Sequence, residues 1–180
     1  VFFQDVDNKE IVFMTGAAGS WASESLAAGV EHVGGTALSA GPGGALHACW
    51  SAAGIWCATG ISGAWTTEEI DIDPVSTGPI DLSLDATGNR HLARFSTNGN
   101  AGSLRYLTDA SGDWLGATVD HQASGPIAVS FFLDRQDNAS IAYAGNGLRY
   151  LAGLDGAWAD TFAGAATPGG DPSIAISAVC

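Results

Sequence analysis

Five side chains stand out for what they could do chemically: Trp50, Trp56, Arg105, Tyr143 and Arg149. An aromatic face can stack on the apolar face of a sugar ring, and a neighbouring guanidinium can donate hydrogen bonds to its hydroxyls. Arg105 and Arg149 hold matching places in a repeat, and Trp56 and Val12 fill that place in the other copies. A hairpin centred on Ala53 sets Trp50 opposite Trp56, and the corresponding hairpin sets Tyr143 opposite Arg149. The same pairs also serve as ordinary cross-strand stabilisation.

The hairpin at Ala53 also brings Cys49 opposite Cys57. Facing residues in a hairpin have Cβ atoms about 4.5–5.5 Å apart, close to what a disulfide needs. A bridge here implies an oxidising compartment. The alternative is a pair of buried thiols, and with His47 these would form a partial metal site lacking a fourth ligand. Cys180 has no evident partner within the chain.

Acidic residues offer further candidates. Asp5, Asp7 and Glu10 lie in an oxygen-rich turn, the best place for calcium, although they do not follow the twelve-residue loop pattern. Asp85 to Asn89 and Asp134 to Asn138 read chiefly as turns, where Asn and Gly accept positive φ. Glu69, Asp71 and Asp73 alternate with Ile70 and Ile72, the pattern of a solvated outer strand. Asp81 stands mid-strand where the sister runs carry Ala37, Ala128 and Ala175. Catalytic triads, phosphate-binding glycine loops and dinucleotide fingerprints are absent.

The elements that must position these residues repeat. A Gly-x-Trp step occurs at Gly19-Ser20-Trp21, Gly63-Ala64-Trp65, Gly112-Asp113-Trp114 and Gly156-Ala157-Trp158, so the tryptophans lie 44, 49 and 44 positions apart. Between them come runs of about 4–8 residues with period-2 alternation, bounded by Gly, Asn, Asp and Pro, which read as strands. Units of roughly 40–50 residues with several short strands are the mark of propeller blades. The predicted fold is all-β, a β-propeller of four units of about 47 residues with four strands per blade. Residues 22–65, 66–114 and 115–158 form three units of a single domain spanning 1–180. Residues 1–21 and 158–180 supply the two halves of a composite fourth, its C-terminal part ending in Ser173 to Ser177. The other arrangement is an arc of a larger ring, completed by another copy or by further sequence. The absence of an initial Met fits a processed or excerpted chain. The tryptophans are expected to fill the seams between blades, because adjacent units must stack to bury a core.

Composition narrows the function classes. The net charge is −13, with one lysine and five arginines, so phosphate backbones are repelled and nucleic acid is an unsuitable partner. Residues 32–67 contain no Asp, Glu, Lys or Arg, but their glycines preclude membrane insertion as a helix. Asn138-Ala139-Ser140 fits an N-glycosylation acceptor, which matters in a eukaryotic secretory setting.

The Leu-Arg-Tyr strand (Leu104 to Tyr106 and Leu148 to Tyr150), the Gly-x-Trp step and the Asp-x-x-Gly-Asn turn together resemble the Trp-anchored propeller repeats of secreted and surface bacterial proteins. The stretch Thr108 to Trp114 is distantly similar to the Asp-box of sialidases, but it departs from that spacing, and the arginines form no substrate-binding cluster. The resemblance implies a non-enzymatic, lectin-like binding module for carbohydrate, extracellular or at the cell surface, with no cofactor other than possible calcium. One shallow site per blade is the expected arrangement. The second expectation is a structural or protein-interaction propeller that binds a surface protein or associates with itself. A glycosidase-like hydrolase is the third, and it requires paired carboxylates in one cleft.

Overall fold

Short alternating runs separated by glycine and Asx turns have one economical way to satisfy their backbone, which is to pair with the next run along the chain. The computed structural model describes residues 1–61, 63–71, 78–98, 101–122, 128–145, 147–154 and 157–164. In it every sheet is an antiparallel meander of consecutive strands. The first sheet holds β1 (Phe2–Asp5), β2 (Glu10–Ala17) and β3 (Ser20–Ala28). The second holds β4 (Gly35–Ala40), β5 (Leu46–Ala52), β6 (Gly54–Ile61) and β7 (Ala64–Asp71). In the third are β8 (Ile80–Leu84), β9 (Arg90–Asn98), β10 (Ala101–Thr108) and β11 (Leu115–Gln122). The fourth has β12 (Ala128–Leu133), β13 (Ala139–Gly145), β14 (Gly147–Leu154) and β15 (Ala157–Gly164). Among the described residues there is no α-helix, only a 3-10 turn at Pro42–Gly44.

In the first three sheets the Gly-x-Trp step is the tight turn into the last strand. Gly19, Gly63 and Gly112 sit there with φ of 88°, 82° and 94°, a left-handed conformation that a side chain resists. The step therefore falls inside a sheet, and the sheets cut the repeat at a different phase from the tryptophans. The first sheet has three strands because β1 is the counterpart of β5, β9 and β13. The inner strand that would precede it, expected from residues 173–177, lies outside the described residues.

A second repeated feature was not visible in the sequence. The register between the last two strands slips by one residue at the same place in every sheet. The slips fall between Ile11 and Val12, Ile55 and Trp56, Leu104 and Arg105, and Leu148 and Arg149. Each bulge adds one residue to the last strand and redirects it. Leu26, Ile70 and Val119, the extra residues in the first three sheets, pack against the core. Glu69 beside Ile70 is exposed, as an outer strand requires; the side chain of Asp71, and Ile72 and Asp73, lie outside the described residues.

The core lies between sheets. Ile11, Trp50 and Ala58 fill the seam from the first to the second sheet, with Leu26, Trp56 and Trp65 packed against them. Cys49, Cys57, Ile80 and Leu92 fill the next, with Trp114. Phe95, Leu104, Ile141 and Tyr143 fill the third, with Trp158. Aromatic rings meet edge to face across two seams, Trp65 on Phe13 at 5.2 Å and Trp158 on Tyr106 at 5.3 Å. Trp21 departs from the expectation. It is 55% exposed, because no described sheet precedes the first. The leading strands follow one another: β4 runs beside β8, and β8 beside β12. Each leading strand also lies against the strand at the β5 position of the sheet before it, β4 on β1, β8 on β5 and β12 on β9. Among the described residues the fourth sheet does not close onto the first.

Pairing also corrects the alignment of Asp81. It faces Ala93, whereas Ala37 faces Cys49 and Ser130 faces Ala142, so its counterpart in the fourth sheet is Ser130 and not Ala128. Asp81 accepts hydrogen bonds from the backbone N–H groups of Leu82 (2.9 Å) and Phe131 (2.7 Å), tying β8 to β12. Burial raises its pKa, and the two N–H donors oppose the rise.

Candidate ligand-binding site between the first and second sheets

The β5–β6 hairpin turns at Ala53, with Ala52 facing Gly54, Trp50 facing Trp56 and Cys49 facing Cys57. Cys49 and Cys57 form a disulfide. Their sulfurs are thus engaged, which removes the partial metal site with His47. Strand alternation sends the disulfide toward the third sheet and the indole pair toward the first.

An open cleft of about 590 Å³ lies on the indole side. Trp50, Ala52, Ala53, Trp56 and Thr67 line it from the second sheet. Residues 27–32, the end of β3 and the loop after it, form the facing wall. Trp50 is only 1% exposed and has the ring of Phe2 against it, so it backs the cleft. Trp56 is half-buried and offers the accessible aromatic face.

The wall is fastened to the first sheet. The Val30 N–H donates to the Lys9 carbonyl at 2.9 Å, and Gln4 Nε2 donates to the Val30 carbonyl at 3.0 Å. Lys9 Nζ reaches Glu31 Oε1 at 2.8 Å. This ion pair is solvent-exposed and adds little to stability. It raises the Lys9 pKa and lowers that of Glu31. The cleft therefore combines an apolar floor, one aromatic face, and a carboxylate and an imidazole (Glu31 and His32) at its mouth. Such a surface suits a neutral ring with one apolar face and several hydroxyls. Among the described residues lining it Glu31 is the only carboxylate, whereas glycoside hydrolysis takes a pair.

The other three candidate residues hold the same repeat positions in other sheets and are not brought to this cleft. Arg105 takes the place of Trp56 in the third sheet. It faces the fully buried Arg94 and lies over Gly116, where an added Cβ would sit 3.1 Å from the guanidinium. In the fourth sheet Tyr143 takes the place of Trp50, and Arg149 that of Trp56. They face each other as expected. Tyr143 is buried and its hydroxyl donates to the Asp120 carboxylate; Arg149 forms an ion pair with Asp160. Burial, and then the bond to Asp120, push the Tyr143 phenol far above its ordinary value.

Asp5 uses its carboxylate to close its own turn, accepting the N–H groups of Asp7 and Asn8 and the Asn8 amide. Among the described residues no group of three or more His, Cys, Asp or Glu is placed to hold a metal ion.

Two features escaped the sequence reading. The cleft wall was one, although Gly29 (φ 75°) followed by Val30-Glu31-His32 is a readable turn signal. Arg90 was the other. It bonds Glu68 at 2.6 Å and Asp109 at 2.7 Å and lies 4.8 Å over the Trp114 ring, joining the second and third sheets. His47 sits nearby, bonded to Thr59 at 3.2 Å; burial first and Arg90 second lower its pKa.

No family model matches the sequence, and no curated protein matches it. Among solved structures, the chain is similar to a fucose lectin from Kordia zhangzhouensis determined in complex with methyl-fucoside. The TM-score is 0.51 at 16% identity, over 70% of this chain and 96% of that one, a likeness of fold.

Proposed function

We propose that this protein is a non-enzymatic carbohydrate-binding module that takes a neutral sugar ring in the cleft between its first and second sheets. The observation that carries the reading is the half-buried Trp56 beside an open, largely apolar cleft of about 590 Å³ with polar groups at its mouth. The similarity in fold to a fucose lectin supports it. The net charge of −13 and Glu31 at the rim weigh against uronates and sialic acids as ligands. The buried disulfide fits an oxidising, extracellular setting.

The sheets are arranged in this reading as a four-bladed propeller. The edge of β1 away from β2 has no partner strand among the described residues, and this reading places the remaining strand of the composite blade there. The regular neighbour relations of β4, β8 and β12 support this arrangement.

Titration of the protein with methyl-fucoside and a broad panel of neutral sugars, followed by indole NMR shifts, tests the function. Saturable shifts at one site per chain are expected. Trp56→Ala should weaken binding by about tenfold or more, while Arg149→Ala leaves it unchanged. No shift across the panel would sink the proposal.

A further inference from the structure

We infer that the Cys49–Cys57 disulfide is the positioning element of the cleft, holding the hairpin so that Trp56 keeps its orientation toward the ligand. The inference rests on the reading of the cleft as a ligand site.

The disulfide and the indole pair are consecutive facing pairs of one hairpin, on opposite faces of the ribbon. A step along a strand is only about 3.3 Å. Any splaying of the hairpin at Cys49 and Cys57 therefore moves Trp50 and Trp56 directly.

The sister hairpins meet the same need differently. The places of Cys49 and Cys57 are taken by Ala93 and Tyr106 in the third sheet, and by Ala142 and Tyr150 in the fourth. The place of Cys57 in the first sheet belongs to Phe13. Phe13 receives Trp65, and Tyr106 receives Trp158, each across a seam. An aromatic contact from the next sheet thus presses on those hairpins from behind. The second sheet has no aromatic ring at this place and carries a covalent link.

Its other face explains why a link is useful. Tyr143 and Arg149, the counterparts of Trp50 and Trp56, are held by Asp120 and Asp160. Trp56 borders the cleft and its turn at Ala53 is exposed. A ring beside open space loses the contacts that would order it, and ordering it during binding weakens affinity. The disulfide orders the hairpin beforehand from the buried side.

The test is Cys49→Ala/Cys57→Ala, which removes the bridge without installing the aromatic that serves the sister hairpins. Cys49→Val/Cys57→Val is the second variant. Should both lose the fold, wild type treated with a dithiol is read instead. The dithiol cleaves the bridge to two thiols and itself closes to a cyclic disulfide. Three readouts are taken well below the unfolding transition: near-UV circular dichroism of the indoles, amide exchange over residues 46–61, and methyl-fucoside affinity. We expect weaker indole dichroism, exchange faster by about tenfold, and affinity lower by about three- to tenfold. A purely structural bridge would lower Tm and leave all three unchanged, which would overturn the inference. If wild type binds no sugar, the reading of the site fails, while dichroism and exchange still decide the positioning role.

Discussion

The seam between the first and second sheets and the seam between the third and fourth are built from the same repeat positions, yet one pair of side chains borders a cleft and the other pair is engaged by carboxylates. Trp50 and Trp56 occupy the first pair of positions and border a cleft. Tyr143 and Arg149 occupy the same positions in the fourth sheet, where carboxylates from β11 and β15 engage them. The backbone is alike in both, down to the bulge before Trp56 and Arg149. Only the side chains differ. Ala27 stands in the first sheet where Asp120 stands in the third, so no carboxylate reaches across to the counterpart of Tyr143. A repeat can thus keep its packing while a few substitutions decide which seam stays accessible.

The largest effect should come from the indoles that fill both seams. Trp158→Ala removes the ring that meets Tyr106 and should lower stability by about 3 kcal/mol in urea denaturation. Trp21→Ala, at the same repeat position on the uncovered face, should change stability by less than about 1 kcal/mol if that face meets solvent. The four-bladed arrangement proposed above, in which the fourth sheet closes onto the first, requires instead a loss equal to that of Trp158→Ala.

A smaller effect is expected at the carboxylate-engaged seam itself. Tyr143→Phe deletes the donor to Asp120 and should cost about 1–2 kcal/mol, with sugar binding untouched. A loss of binding in this variant would show that the two seams communicate, and the contrast drawn between them would fail.

The smallest effect is an acid response beside that same seam. Burial raises the pKa of Asp85, but hydrogen bonds from Asn89 and Thr87 more than offset it and hold the carboxyl well below its ordinary value of 3.8. Asp85 touches His91 at 3.5 Å, and His91 bonds Tyr106, the ring under Trp158. A depressed carboxylate stabilises the fold above its unfolded pKa, and that contribution is lost as pH falls from about 3.8 toward the lowered value. Asp85→Asn should therefore be less stable than wild type at neutral pH and converge with it in acid. Parallel curves at all pH values would remove Asp85 from this role.

Much of the fold could be read directly. The hairpin at Ala53 and the facing of Trp50 with Trp56, of Cys49 with Cys57 and of Tyr143 with Arg149 follow from period-2 alternation around a short turn, while a bridge between the cysteines is one of two readings of that facing. The site was less legible. Five candidate residues share two repeat positions, and a repeat offers no local sign of which copy remains open. Asp81 shows the limit of alignment by eye: a two-residue shift in β12 gave it the wrong partner, because the runs on either side are alternately apolar and fit both ways.

What the sequence by itself determined is local: strand, turn, hairpin register and the indole at each last strand. These depend on residues within one meander, where neighbours in the chain are neighbours in space. Only the tertiary structure decided which faces meet, that Trp21 lies uncovered, and that residues 27–32 stand across a cleft from Trp56. Those outcomes depend on how one sheet packs on the next. Residues far apart in the chain jointly decide whether the space between them is filled or left open.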